Sequence, residues 1–214
     1  MTRRAQIGRW NAGELGWRRF FGTGRPGHTR RTSRTSRAQS GWPSCGSSCS
    51  TASPGPDSVK TNPDFRDLLA ELNAAGAEYL VVGAHALAVH GHPRASKDLD
   101  LWIRATPENA ERVYRALGNF GAPLRDLNVE DLATPGTIFQ IGVDPVRIDI
   151  ITTIDGVEFE NAWPERVGST YADQPVSVIS REHFIQNKKA AGRLQDLADV
   201  DALERHDRKA KGRG

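Results

Sequence analysis

Apolar residues follow two different patterns along the chain, and the pattern changes near Asn62. Before this point, no helical or alternating apolar period lasts for two helical turns. Asn62 and Pro63 are typical of a helix N-cap followed by proline at the first helical position. Apolar residues then recur at helical spacing until Gly76 ends this first helix. A short apolar strand over residues 78–82 follows.

The same two periods predict the remaining elements. Helices are expected at about 84–90, 106–120, 160–166, 180–191 and 194–206, a short helix or turn at 128–132, and strands at 98–103, 137–143, 146–152 and 176–179. Single strands, helices and one hairpin follow each other in mixed order. The sequence therefore predicts an α/β (α+β) fold with a small mixed β-sheet flanked by helices, not a doubly wound parallel sheet.

Residues 1–58 are rich in Arg, Ser, Thr and Gly, and we expect a disordered extension, because this segment cannot bury enough apolar surface to offset chain entropy. Residues 1–60 carry eleven basic and two acidic side chains, whereas residues 61–214 carry 18 basic and 24 acidic side chains. The formal net charge of +3 therefore combines a strongly basic head with an acidic body. Three interpretations stay open: translated upstream sequence before a true start at Val59, a solvated tail without function, or a basic arm that binds nucleic acid.

We place the folded domain at residues 59–206 and a disordered basic tail at 207–214. Two cysteines, Cys45 and Cys49, are too few for a disulfide scaffold or a four-cysteine zinc module. No apolar run reaches the roughly 18 residues of a membrane span, and the basic amino terminus lacks the apolar region of a secretory signal. We therefore expect no membrane partner and a cytoplasmic location.

Acidic residues stand at unexpected places in two of the strands. Alternation over 98–103 places Asp98 and Asp100 on one face and apolar residues on the other. Two carboxylates on one face repel each other unless a cation lies between them, and a hard divalent ion such as Mg²⁺ is the natural partner. Asp149 repeats this pattern in the strand 146–152, although strands are poor in Asp. If the strands are neighbours, the three carboxylates could hold two Mg²⁺ ions.

Gly83 follows the strand 78–82 directly and precedes a short helix. A glycine there lets backbone N–H groups approach a phosphate closely. Alone, a glycine after a strand is usually an ordinary turn, and an isolated Asp-x-Asp is usually a solvated strand edge. The combination with Asp149 favours a catalytic site. A zinc site is not favoured, because His85 and His90 diverge by about 140° around a helix.

Several segments together resemble the nucleotidyltransferase superfamily of the polymerase-beta type. They are 81–84 (Val-Val-Gly-Ala), 90–100 (His-Gly-His-Pro-Arg-Ala-Ser-Lys-Asp-Leu-Asp), Asp149 and the stretch 187–199. The similarity is closest to the bacterial branch that includes AbiEii-like toxins of toxin–antitoxin systems, and it covers about 62–205. It implies a polymerase-beta-like core and transfer of a nucleoside monophosphate from an NTP to a hydroxyl group, with release of pyrophosphate.

The resemblance also implies roles for single residues. Asp98, Asp100 and Asp149 would be catalytic and bind two Mg²⁺ ions, and Asp149 is a candidate base toward the acceptor hydroxyl. The nucleotide-binding residues would be Gly83, Ala84, Ser96 and Lys188. Ala84 departs from the Ser or Gly that is usual in the family, so one hydroxyl contact with phosphate is lost, and Ser96 stands where Thr is common.

The acceptor implied by the family is RNA (tRNA included), a protein or a small molecule, and a cognate antitoxin is a candidate partner. The alternative from a different functional class is a non-catalytic relative that binds a nucleotide or a partner protein. The presence of all three carboxylates favours catalysis.

Overall fold

The computed structural model describes residues 61–143 and 146–211. The predicted extension over 1–58, the alternative start at Val59 and the two cysteines lie outside the described residues. Within the described ranges, no helix combines the length and the apolar character needed to cross a membrane.

These residues form seven helices and six strands. The helices are α1 (Pro63–Ala74), α2 (Gly83–Val89), α3 (Pro107–Phe120), α4 (Val129–Ala133), α5 (Phe159–Ala162), α6 (Arg181–Ala191) and α7 (Leu194–Lys211). The strands are β1 (Tyr79–Val81), β2 (Asp98–Ile103), β3 (Ile138–Val143), β4 (Val146–Ile151), β5 (Val167–Tyr171) and β6 (Gln174–Val178).

The six strands form one mixed sheet in the order β3-β4-β2-β1-β6-β5. The β2–β4 and β1–β6 pairs are parallel, and the other three pairs are antiparallel. The predicted fold class, a small mixed sheet flanked by helices, is confirmed. The topology also makes β2 and β4 direct neighbours, although α3, α4 and β3 separate them along the chain.

Local capping explains where the main helices begin and end. The Asn62 side chain accepts a hydrogen bond from the Asp64 backbone N–H at 2.9 Å, and Thr106 and Ser180 cap α3 and α6 in the same way. α3 ends at Gly121, which has a left-handed backbone with φ of 88°. These are the N-cap residues that the sequence pattern predicted.

The centre of the sheet is covered more fully than strict alternation predicts. In β2, Trp102 is buried although its neighbours Leu101 and Ile103 are buried as well. The Trp102 ring packs edge-on against Phe159 of α5, with ring centroids 5.0 Å apart, and its indole N–H donates to the Thr152 carbonyl at 3.3 Å. The carboxyl-terminal half of β2 is therefore buried on both faces, and its polar face is confined to the amino-terminal half.

Three elements differ from the sequence expectation. β5 was not predicted, because it is an edge strand that pairs only with β6 and shows no alternation of apolar residues. The helix expected at 160–166 is the shorter α5. α7 continues to Lys211, so residues 207–211 of the predicted disordered tail are helical. Arg, Lys and Ala in this stretch are good helix formers, which explains the continuation.

Candidate active site

The structure brings the three acidic residues together on two adjacent parallel strands. Asp100 in β2 is the register partner of Asp149 in β4, and Asp98 is the register partner of Arg147. Register partners on neighbouring strands project their side chains to the same side of the sheet. The strand adjacency that the sequence left conditional is therefore present, and the face that carries Asp98 and Asp100 also carries Asp149.

Arg147 joins two of these carboxylates. Its Nε donates to Asp149 Oδ1 at 2.7 Å, and its Nη2 donates to Asp98 Oδ2 at 3.3 Å. The second oxygen of Asp149 accepts a hydrogen bond from Gln140 Nε2 of β3 at 3.2 Å. Asp149 is only 8% exposed, and these two donors satisfy both of its oxygens. A charged carboxylate can remain buried here because it is paired and hydrogen-bonded.

Asp100 lies directly against Gly83, the first residue of α2. A Cβ atom placed on Gly83 would overlap Asp100 Oδ2 and lie 2.9 Å from its Cγ. Gly83 also has a left-handed backbone with φ of 61°, which side chains disfavour. The β1–α2 turn therefore requires glycine for two reasons, its conformation and the space taken by the carboxylate.

The environment of Asp100 favours its protonated form. Burial is the largest cause, and the negative charges of Asp149 and Asp98 add to it, whereas Lys188 and Arg147 act in the opposite direction. Together they raise the pKa of Asp100 from 3.8 to about 6. Asp100 can therefore gain or lose a proton close to neutral pH, which is a property of catalytic carboxylates.

Two buried aspartates of α7 hold the cations next to this site. Asp196 accepts a hydrogen bond from Lys188 Nζ at 2.5 Å, and Asp199 lies 3.8 Å from the same nitrogen. Asp199 also pairs with Arg94 Nε at 3.2 Å, and Arg94 belongs to the loop that leads into β2. The α7 pair therefore links Lys188 of α6 to the segment that carries Asp98. No local sequence pattern indicates this link, because its residues belong to three different segments of the chain.

The remaining predicted nucleotide-binding residues have structural contacts of their own. Ser96 Oγ donates to the Asp98 carbonyl at 3.1 Å, so the hydroxyl braces the start of β2. Ala84 is buried in α2. One residue further, His85 hydrogen-bonds to the backbone of Asp98 while burial lowers the pKa of its imidazole. His85 thus also supports the strand end that carries Asp98, a role without any sequence signal.

The donor set fits a hard divalent cation in its chemistry. Three carboxylates supply only oxygen ligands, which Mg²⁺ prefers, and the missing Cβ of Gly83 leaves room for Asp100. Among the described residues, no group of three or more His, Cys, Asp or Glu side chains is already arranged to hold a metal ion. Arg147 contacts one oxygen of Asp98 and one of Asp149, which a bound metal ion would also use.

A separate cleft lies elsewhere in the described part of the chain. A cavity of about 430 Å³ is lined by residues of α1, β1, the β5–β6 hairpin and the residue that follows α5, among them Asn73, Tyr79, Trp163, Ser169 and Ser177. None of the predicted site residues lines it. The Tyr79 hydroxyl already donates to Asn73 Oδ1 at 2.9 Å. We therefore place the candidate chemistry at the carboxylates and not in this cleft.

The fold can be compared with solved structures. A proposed nucleotidyltransferase from Thermotoga maritima is 16% identical, with a TM-score of 0.41 over 68% of this chain and 91% of the other. The lincosamide antibiotic adenylyltransferase LnuA, solved with lincomycin, is 15% identical, with a TM-score of 0.45 over 67% and 96%. An antigenic nucleotidyltransferase-like protein from Paracoccidioides brasiliensis is 16% identical, with a TM-score of 0.38 over 64% and 71%.

Two of these proteins are named as a nucleotidyltransferase or nucleotidyltransferase-like, and the third as an adenylyltransferase. For this chain, the nucleotidyltransferase superfamily is a resemblance of the sequence. The AbiEii-like branch within that superfamily stays a prediction. The chain matches no protein-family model and no curated protein.

The contact between Gly83 and Asp100 can be tested with a matched pair of glycines. Gly76 has a φ of 65°, close to that of Gly83, but nothing lies within 4 Å of a Cβ placed on it. Gly76→Ala therefore measures the cost of the left-handed backbone alone. We expect Gly83→Ala to lower the free energy of unfolding by about 1–3 kcal/mol more than Gly76→Ala, because Asp100 must move. Urea unfolding of both variants measures the difference, and equal losses would contradict the contact.

Proposed function

We propose that this protein is a Mg²⁺-dependent nucleotidyltransferase, which moves a nucleoside monophosphate from an NTP to a hydroxyl acceptor. The observation that carries the proposal is the position of Asp98 and Asp100 on β2 beside Asp149 on β4, its parallel neighbour. Three acidic side chains on one face of a sheet, one of them with a pKa near neutral, are costly to maintain. Such a cost is typical of a functional site.

Asp98, Asp100 and Asp149 would hold the divalent ions. The ions would supply positive charge at the phosphate oxygens and so neutralise the charge that develops during transfer. Two ions are proposed, because three carboxylates can be shared between two hard cations.

Two cations of the chain support the proposal that a triphosphate binds at this site. Lys188 is close enough to Asp100 to lower the pKa of that carboxyl, so its ammonium lies within electrostatic reach of the site. Arg94 is 34% exposed at its side chain and belongs to the loop before β2. We propose that Lys188 binds the phosphates and that Arg94 assists it, while Asp196 and Asp199 keep both cations in position. Contacts of the Gly83 and Ala84 backbone N–H groups with phosphate stay a prediction.

The proposed reaction is a displacement at the α-phosphorus. The acceptor oxygen forms a bond to this phosphorus, the bond to the β-phosphate oxygen breaks, and pyrophosphate leaves. The hydroxyl proton passes to a carboxylate. Asp100 and Asp149 are both candidates for this step, and a divalent ion bound at Asp100 would lower its pKa below the metal-free value of about 6. Both Asp149 oxygens already accept hydrogen bonds from Arg147 and Gln140.

The finer identity of the acceptor rests on the sequence resemblance. It favours RNA (tRNA included) or a protein as acceptor, and a toxin role with a cognate antitoxin as partner. A non-catalytic protein that binds nucleotides remains the second candidate. The high pKa of Asp100 argues for the enzyme, because a binding protein without metal gains nothing from an enclosed carboxylate that repels two others.

The test of the proposal is the transfer of label from α-³²P-NTPs to RNA, to protein and to small hydroxyl compounds in the presence of Mg²⁺. The wild-type protein should label an acceptor, whereas Asp100→Ala should not. Removal of the Asp100 charge relieves a burial penalty, so the variant is expected to stay folded. Equal labelling by both proteins, or none by the wild type with any NTP, would overturn the enzymatic function in favour of a binding role.

A further inference from the structure

Arg147 stands between carboxylates for which the proposed function requires a divalent ion. It is the second residue of β4 and the register partner of Asp98 in the parallel β2–β4 pair. Its side chain is 28% exposed, so the guanidinium is enclosed by the site on one side and reaches solvent on the other. The backbone N–H of Arg147 donates to the Lys97 carbonyl at 3.4 Å, which anchors the residue at the entrance of β2.

The carboxylate oxygens show why the guanidinium and a metal ion exclude each other. Arg147 occupies Oδ1 of Asp149 at 2.7 Å and Oδ2 of Asp98 at 3.3 Å. Mg²⁺ binds oxygen at about 2.0–2.1 Å and accepts only a near-octahedral arrangement. An ion that bridges these two carboxylates would need the space that the guanidinium fills. Gln140 holds the other oxygen of Asp149, so Asp149 has no oxygen left without a donor.

The charges lead to the same conclusion. Lys188 is committed to Asp196 and Asp199, at 2.5 and 3.8 Å, so it does not neutralise Asp98 or Asp149 by direct contact. Arg147 is the cation that the structure places in contact with both of them. Without it, the three carboxylates would repel each other strongly unless another cation entered.

We propose that Arg147 is the resident cation of the carboxylate site: it holds Asp98 and Asp149 in place before a divalent ion binds, and the ion must displace its guanidinium. Arg147 thereby sets the metal affinity of the site. The inference rests on the proposed function, because it assumes that a divalent ion binds at these carboxylates. The Arg147 side chain is partly exposed, so its guanidinium can turn from the carboxylates into solvent when the ion binds.

Mn²⁺ binding to the full-length protein tests this role without any measurement of activity. Free Mn²⁺ is followed by electron paramagnetic resonance during titration of the wild type, Arg147→Met and Arg147→Lys. An opposite charge in contact with a carboxylate changes its affinity for a proton by about one to three decades, and we apply the same scale to a metal cation. We therefore expect Arg147→Met to bind Mn²⁺ about tenfold or more tightly than the wild type, with Arg147→Lys between them.

Arg104 provides a matched control for the loss of a positive charge. It also bridges two carboxylates, Glu78 at 2.5 Å and Glu160 at 2.9 Å, but at a different place in the fold. Arg104→Met should leave the Mn²⁺ affinity within about twofold of the wild type, because it removes the same charge without opening the carboxylate site. A tenfold gain in this variant as well would overturn the proposal, since it would show a general charge effect.

A second measurement covers the case in which Arg147→Met folds poorly. Without metal, the midpoint of thermal unfolding of Arg147→Met should be lower than that of the wild type. Addition of Mn²⁺ should raise this midpoint by more than it raises the wild-type midpoint. Folding only in the presence of Mn²⁺ would support the proposal, and an equally low midpoint with and without Mn²⁺ would overturn it.

The outcomes separate this inference from the proposed function. Equal Mn²⁺ affinity in the wild type and Arg147→Met, both lost in Asp149→Asn, would overturn the role of Arg147 and leave the metal site standing. Absence of Mn²⁺ binding from the wild type and Arg147→Met alike would overturn both.

Discussion

Replacement of Asp149 by Asn should reduce nucleotidyl transfer by about 10²–10³-fold or more, because preorganised charges at a reacting phosphate contribute on this scale. The substitution keeps the shape of the side chain, and an amide oxygen can still accept the hydrogen bond from Arg147 Nε. The negative charge that would hold a divalent ion is lost. We therefore expect the folded state to persist while kcat/KM falls.

The measurement is the initial rate of label transfer from an α-³²P-NTP at saturating Mg²⁺, with circular dichroism as a check of folding. Asp67→Asn is the matched control. Asp67 also pairs with an arginine, Arg66 at 2.6 Å, but on the exposed surface of α1. This variant should retain wild-type activity. If Asp149→Asn kept more than about a tenth of the wild-type rate, Asp149 could not be one of the charges on which transfer depends.

Replacement of Asp100 by Asn should make the protein more stable at neutral pH. The pKa of Asp100 is about 6 in the folded chain against its ordinary value of 3.8. Below the lower value the carboxyl is protonated in both the folded and the unfolded state, so the free energy of unfolding is unaffected. Between the two values the unfolded chain releases its proton first, and the free energy of unfolding therefore falls as pH rises.

Above pH 6 the Asp100 penalty is complete and amounts to about 3 kcal/mol at most. Asp100→Asn removes it, so the stability gain should be near zero at pH 4 and should grow to its full size by pH 7. Urea unfolding across this pH range, without divalent ions, measures the gain. Asp67→Asn should show no such pH-dependent gain, because the Asp67 side chain is 54% exposed. A gain that is constant with pH would indicate a packing effect and contradict the titration of Asp100.

For Asp100, the expected contribution to stability is unfavourable, whereas its expected contribution to activity is favourable. Asp100 is expected to make the fold less stable and yet to be required for transfer. Proteins tolerate such costs at sites where function needs them. The same reasoning explains Gly83, whose lack of a side chain is used to accommodate this carboxylate.

Much of the local structure was readable from short patterns. β2 lies at 98–103 as predicted, because its alternation is strict and turn residues precede it. α1, α3 and α6 begin at their predicted caps, because an N-cap depends only on contacts within one helical turn. β5 was missed for the opposite reason. Its strand conformation comes from pairing with β6, and pairing of an exposed edge strand leaves little trace in hydrophobic alternation.

The acidic pair of β2 and Asp149 of β4 could be recognised from the sequence, because acidic residues are unusual in otherwise apolar strands. The face of β2 that carries the pair could also be predicted, since a strand's period of two follows from backbone geometry alone. The proximity of the three carboxylates could not be predicted from the sequence. It depends on the parallel pairing of β4 with β2, which are separated along the chain by two helices and a strand. The same holds for Arg147, which lies 49 positions from Asp98, and for Asp199 of α7, which lies 105 positions from Arg94. Alternation and capping are local properties of a chain, whereas the pKa of Asp100 and the pairing of Arg147 arise from long-range contacts that form only when the sheet is assembled.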